Sequence, residues 1–194
     1  MTALPDMAWR LDHPWLPLTP PMTSGTTSRS GVITDRIVAQ FGLDTGKRWQ
    51  KLVEQLAGGL TKVSTYCNIW LNDITRALGC EVPRWWLVGA ELKQLSANDQ
   101  VRWLQRDGRK HGWRECTPFE AQARANLGHV SVVGWINPEV HPVTKRELSG
   151  HVALFVPDNG EAGLFIAQAG LTNFSRGTLT SGFGSRNVVC FTHD

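Results

Sequence analysis

The hydrophobic pattern of the chain changes period near residue 128, and that change limits the folds open to it. Upstream, apolar residues recur at helical spacing. Downstream, HVSVVGWIN (129–137), HVALFV (151–156), GLFIAQ (163–168) and NVVCF (187–191) are β-branched or aromatic runs bounded by Pro, Gly, Asn and Asp. Helices first and strands afterwards predict an α+β domain with an antiparallel sheet. With 194 residues, 41% of them hydrophobic, the chain is long enough to bury one proper core. No run approaches the roughly 18 apolar residues of a membrane-crossing helix, so membrane insertion is not expected. The formal charge of +3 permits attraction to an anionic polymer. Aromatic and basic residues do not interleave as on a nucleic-acid-binding face, so nucleic acid is not an expected partner.

Residues 1–31 carry Pro5, Pro14, Pro17, Pro20, Pro21 and the run TSGTTSRSG, which predict an irregular N-terminal arm ahead of a single domain at 32–194. Helices are predicted at 34–41, capped by Thr34 with Ile37, Val38 and Phe41 on one face, and at 47–57, with Trp49, Leu52, Val53 and Leu56 in phase. The strongest helical pattern is 65–79, where Trp70, Ile74, Ala77 and Leu78 share a face and Gly79 is the stop. Ser96 and Asp99 cap a helix at 96–107. Thr117, Pro118 and Glu120 open another at 117–127 with the signature of a capping box.

Several chemistries are excluded by their missing motifs. GLDTGKR (42–48) has the wrong glycine spacing for a phosphate loop, and GFGSRN (182–187) lacks the third glycine of a dinucleotide turn. There is no HExxH and no GxSxG. His111, His129 and His141 do not stand at zinc-ligand spacing with a cysteine pair. The four cysteines, Cys67, Cys80, Cys116 and Cys190, form no CxxC. Cys80 and Cys116 are a candidate pair for a disulfide in an oxidising compartment, which spacing alone does not decide.

Cys67 stands apart because it opens the best helix. Unpaired N–H groups and the helix dipole there favour a thiolate, the nucleophilic form. A cysteine nucleophile needs a base, and His151 begins a strand directly after Gly150. His151, Ala153 and Phe155 share one strand face, and the small Ala153 would let the cysteine helix approach beside the imidazole. If Val156 opposes Gly163 across the following hairpin, His151 lies opposite Gln168, whose amide oxygen can accept from the ring N–H. Asn173 is the alternative third residue. Trp85 and Trp86, after Pro83, are candidates to line a groove.

Cysteine on a helix N-terminus, histidine on a strand and a polar residue on the next strand resemble the papain-like cysteine hydrolases. The compact NlpC-type and CHAP-type cell-wall peptidases and amidases are the most similar branch. The resemblance is carried by TYCNIWLNDITRALG (65–79), SGHVALFVP (149–157) and IAQAG (166–170). It implies a papain-like fold with N-terminal helices packed on an antiparallel sheet. It also implies amide hydrolysis in the stem peptides of peptidoglycan, with Cys67 as nucleophile, His151 as base and Gln168 orienting the ring. The oxyanion would rest on the Cys67 N–H and a further donor, for which Tyr66 is a candidate. No metal and no cofactor are implied. The N-terminus does not read as a signal peptide, so synthesis in the cytoplasm and action on the wall in the periplasm are expected. Delivery would be through a holin, as a phage lysin, or by type VI secretion, as an antibacterial effector with a periplasmic immunity protein as partner. A cell-wall binding module presenting Trp85, Trp86 and Trp113, and a cysteine peptidase or transamidase acting on proteins, are the alternatives.

Overall fold

The computed structural model describes residues 30–55, 59, 61–88 and 91–194. Most of the predicted arm, and Leu56, lie outside them. The first helix, α1 (Gly31–Gln40), starts earlier than its pattern suggested. Ser30 is the N-cap, and Thr34 is buried inside the helix instead of capping it. Gly42, at φ +58°, receives the chain beyond the helix end.

The helix predicted at 47–57 does not form. A 3-10 turn at Lys47–Trp49 sends Trp49 into the core, where its indole donates to the Phe41 carbonyl at 3.0 Å. The chain then runs into β1 (Leu52–Gln55), paired antiparallel with β2 (Thr61–Ser64). Leu52 and Val53 stay 46% and 48% exposed. Of the three described residues of that apparent helical face, only Trp49 finds a buried surface. Without burial, helical spacing has no energetic consequence, and β-branched Val53 pairs across the hairpin with Val63.

Helix α2 (Cys67–Ala77) forms as its pattern requires. Trp70, Leu71 and Ile74 are fully buried, while Ala77 is exposed rather than on the buried face. Hairpin β3 (Trp85–Val88) and β4 (Glu91–Gln94) follows, then α3 (Ala97–Arg106). Ser96 and Asp99 close their reciprocal cap on α3. Strand β5 (Trp113–Cys116) leads into α4 (Pro118–Asn126). Thr117 caps α4 by accepting from the Glu120 N–H at 3.1 Å, but the Glu120 carboxylate pairs with Arg114 at 2.7 Å and leaves the capping box open. The remaining elements are β6 (Ser131–Trp135), β7 (His151–Phe155), β8 (Phe165–Gln168), β9 (Phe174–Thr178), the short α5 (Leu179–Phe183) and β10 (Val189–His193).

The fold is therefore mixed α and β, and its main sheet is antiparallel throughout, with six strands in the order β5-β10-β6-β7-β8-β9. Helices cover both faces. Val132, Val152, Leu154 and Ala167 face α2 and α3; Val133, Ala153, Phe155 and Ile166 face α4 and Phe183 of α5. Burial on both sides explains why the central strands are almost continuously apolar instead of alternating. Among the described residues, no helix is long and apolar enough to cross a membrane.

Gln122 of α4 ties the central strands together from the second face. Its amide nitrogen donates to the Val156 carbonyl at 2.8 Å and its oxygen accepts from the Phe165 N–H at 2.7 Å. Gln122→Ala strands two buried backbone groups at a cost of about 2 kcal/mol. The melting temperature is expected to fall by roughly 4–8 °C, and a thermal melt displaced by less than a degree would contradict this role.

Candidate functional site

Cys67 is the first residue of α2. Tyr66 is its N-cap but contributes no side-chain cap bond. The first turn is held from outside: the Asn68 amide donates to the Leu95 carbonyl at 2.8 Å, and Gln100 donates to the Asn68 carbonyl at 2.8 Å. The Cys67 sulfur is 2% exposed. The N–H groups of Val152, Asn68 and Cys67 and the Thr65 hydroxyl surround it and favour a thiolate, but burial outweighs them and pushes the thiol pKa up. The depressed thiol pKa expected from a helix N-terminus is thus overturned by desolvation.

His151 makes a 2.7 Å hydrogen bond from its Nε2 to the Gln168 amide oxygen. The orientation of that amide is set independently, because its nitrogen donates to the Thr172 carbonyl at 2.9 Å. Gln168 therefore presents its oxygen, His151 Nε2 carries the proton, and Nδ1 keeps its lone pair. The ring lies 5.0 Å from that of Phe183. Gly170 crosses the ring so closely that an added Cβ would sit 3.0 Å from His151 Cε1, and a Cβ on Gly182 would overlap the Gln168 oxygen. Burial, assisted by the Arg186 charge, lowers the His151 pKa, although the Gln168 bond opposes it. At neutral pH the imidazole is the uncharged form.

Cys67 and His151 are related in a way the strand pattern did not suggest. Helix α2 packs over Val152 and Leu154, not over Ala153, so sulfur and imidazole approach from opposite faces of the sheet. The β7–β8 ladder ends at Leu154↔Ala167. Beyond it the Val152 N–H is directed at the Cys67 sulfur. Cys67 therefore lies at the peptide unit that joins His151 to Val152, while the imidazole leaves the strand on the other face, beside Phe183. Nδ1, next to Cγ, is the ring nitrogen nearer to that peptide. The register also differs from expectation. Phe155 opposes Ile166, which sets Gln168 level with Ala153 and diagonal to His151. A displacement of two residues keeps Gln168 on the same face, and its long side chain spans the diagonal.

Asn173 does not touch the imidazole. Its oxygen accepts from the Gly170 N–H at 2.9 Å and its nitrogen donates to the Trp49 carbonyl at 2.8 Å, so it holds the loop that crosses the ring. Tyr66 lies against the core beside Cys67. Trp85 and Trp86 sit on β3. Trp86 packs edge-on to Trp103 and His111 and lines a small pocket with Lys93, Leu95 and Arg106, while Trp113 is buried and unable to line a groove. Three supporting residues escaped the sequence reading. Asn98, buried on α3, bonds the Leu148 carbonyl and the Asn137 N–H and so fixes the loop that delivers His151. Gly150 leaves no room for a Cβ between Trp135 and Asn98. Arg186 stacks over Trp135 at 4.7 Å. Only the glycine before the strand carried any local signal.

Among the described residues, no cluster of His, Cys, Asp and Glu is arranged to hold a metal ion. No protein-family model matches the chain, and no curated protein sequence matches it significantly.

Because the folded His151 pKa lies below its unfolded value near 6.5, the native state binds fewer protons than the unfolded chain. This contribution to stability is complete above about pH 6.5 and is lost as the pH falls through the folded pKa. Gln168→Glu places a carboxylate on Nε2 and is expected to raise the His151 pKa in an NMR titration. An unchanged or lower value would show that Gln168 does not control the ring.

Proposed function

We propose that the chain is a papain-like cysteine hydrolase of the NlpC and CHAP type that cleaves amide bonds in peptidoglycan stem peptides. The observation that carries the reading is the 2.7 Å His151–Gln168 bond, which leaves Nδ1 basic on the residue before Val152, whose N–H is directed at the Cys67 sulfur. The raised thiol and lowered imidazole pKa values describe a neutral pair, so His151 acts as a general base during attack and not as half of a preformed ion pair. Cys67 attacks the amide carbonyl as His151 takes the thiol proton. The imidazolium then protonates the leaving amine, and water releases the acyl group by the same base. The Cys67 N–H supports the oxyanion, with Tyr66 as the candidate second donor. Attack requires the chain around the 2%-exposed sulfur to open for substrate.

Amide chemistry on stem peptides fits an antibacterial effector or a lysin acting in the periplasm. An effector would need an immunity protein in the cell that makes it. A second reading, a non-catalytic wall-binding module, is favoured by the burial of the sulfur and by the partly exposed Trp86 on its hairpin.

Incubation with purified sacculi separates these readings. Wild type is expected to release soluble fragments, and Cys67→Ala and His151→Ala are each expected to lower that rate by roughly 10³-fold or more without a large change in melting temperature. Gln168→Ala should be milder, because it removes orientation and not a reacting group. Release that survives Cys67→Ala rejects the cysteine mechanism. Binding to sacculi without release, equal in both variants, identifies the module. Hydrolysis of a denatured protein in place of sacculi assigns a protein-directed peptidase.

A further inference from the structure

Spacing left a Cys80–Cys116 pair open, and the fold separates those two. Cys80 is buried in the cluster beneath α2, on the other side of the sheet from Cys116. Cys116 on β5 instead stands directly opposite Cys190 on β10. Opposed residues of antiparallel strands project from the same face, and both thiols belong to the apolar cluster on the α4 side of the sheet. The Asp194 N–H donates to the Gly112 carbonyl at 3.2 Å. Alternation along the ladder then makes Cys190–Cys116 a hydrogen-bonded pair, with Cα atoms about 5.5 Å apart. That separation lies within the roughly 4.4–6.8 Å that disulfides span.

We propose that Cys116 and Cys190 form a cross-strand redox site that closes to a disulfide under oxidising conditions and staples the sheet edge. Strand β5 is one of the two edge strands of the sheet and pairs with β10 alone, which leaves it open to fraying. Both cysteines are free thiols in the structure. Cys116 is partly exposed and Cys190 is 1% exposed, which sets the order of events. The Cys116 thiolate attacks one sulfur of a low-molecular-weight disulfide such as glutathione disulfide and expels a glutathione thiolate, which takes up a proton. Cys190 then attacks the Cys116 sulfur of the mixed disulfide and expels a second glutathione. Two protein thiols are oxidised and one glutathione disulfide is reduced. Burial pushes Cys116 up to about 11 and Cys190 up to about 12, with Cys116 adding to the Cys190 shift. Closure is therefore slow at neutral pH and accelerates about tenfold per pH unit through the thiolate fraction. The proposal does not depend on the hydrolase reading.

The test is peptide mapping, without reduction, of the full chain incubated with glutathione disulfide at pH 8 and pH 9. The expected product is a linked peptide containing Cys116 and Cys190, lighter by two hydrogens, forming about tenfold faster at the higher pH and reopening in dithiothreitol. In Cys190→Ala, glutathione should remain on Cys116. Three results would overturn the proposal: glutathione persisting on Cys116 of the wild type, a link to Cys67 or Cys80, or four unmodified thiols at both pH values.

Discussion

The peptide unit between His151 and Val152 is the point on which the candidate site depends. A buried backbone N–H must find a partner, and in the interior of an antiparallel ladder that partner is the next strand. Here β7 and β8 part after Leu154↔Ala167, and the Val152 N–H meets the Cys67 sulfur instead. The same parting lets Gly170 cross the His151 ring and lets Gln168 reach Nε2 along the diagonal. Sulfur and imidazole belong to two faces of the sheet and flank the peptide unit where it opens.

Dryness governs the electrostatics of both groups. A helix N-terminus favours a negative charge by about 0.3–1 kcal/mol, whereas burying an unpaired ion costs several. The larger effect wins at Cys67, whose thiol is raised despite its surrounding N–H groups, and again at His151, whose imidazole is held neutral. Both groups are held in their uncharged forms. Cys116 and Cys190 obey the same rule on the other face.

Elements whose cause is local could be read from the residues. Ser96–Asp99 closes its cap because serine and a carboxylate three residues on satisfy two orphan N–H groups wherever they occur. The four strand runs were legible because β-branched and aromatic residues between turn formers leave few other choices. The helix expected at 47–57 failed because Leu52 and Val53 have nothing to pack against, which no local pattern can report. Strands β5 and β9 were missed because WREC and FSRGT lie on the sheet edges, where burial is partial and the alternation weak. Glu120 left its cap for Arg114, a neighbour brought in by the fold.

The places of Cys67, His151 and Gln168 were legible because each follows from residue type and position in an element: a thiol at a helix start, an imidazole at a strand mouth, an amide on the same strand face one hairpin later. Parity protects that last choice, since a slip of two residues changes the partner but not the face. Tertiary structure alone decided that the sulfur and the ring would approach from opposite faces, that burial would outweigh the helix dipole, and that Cys116 would face Cys190 and not Cys80. Each of these depends on distances between segments far apart in the chain, and such distances are set by how the two helical layers close on the sheet.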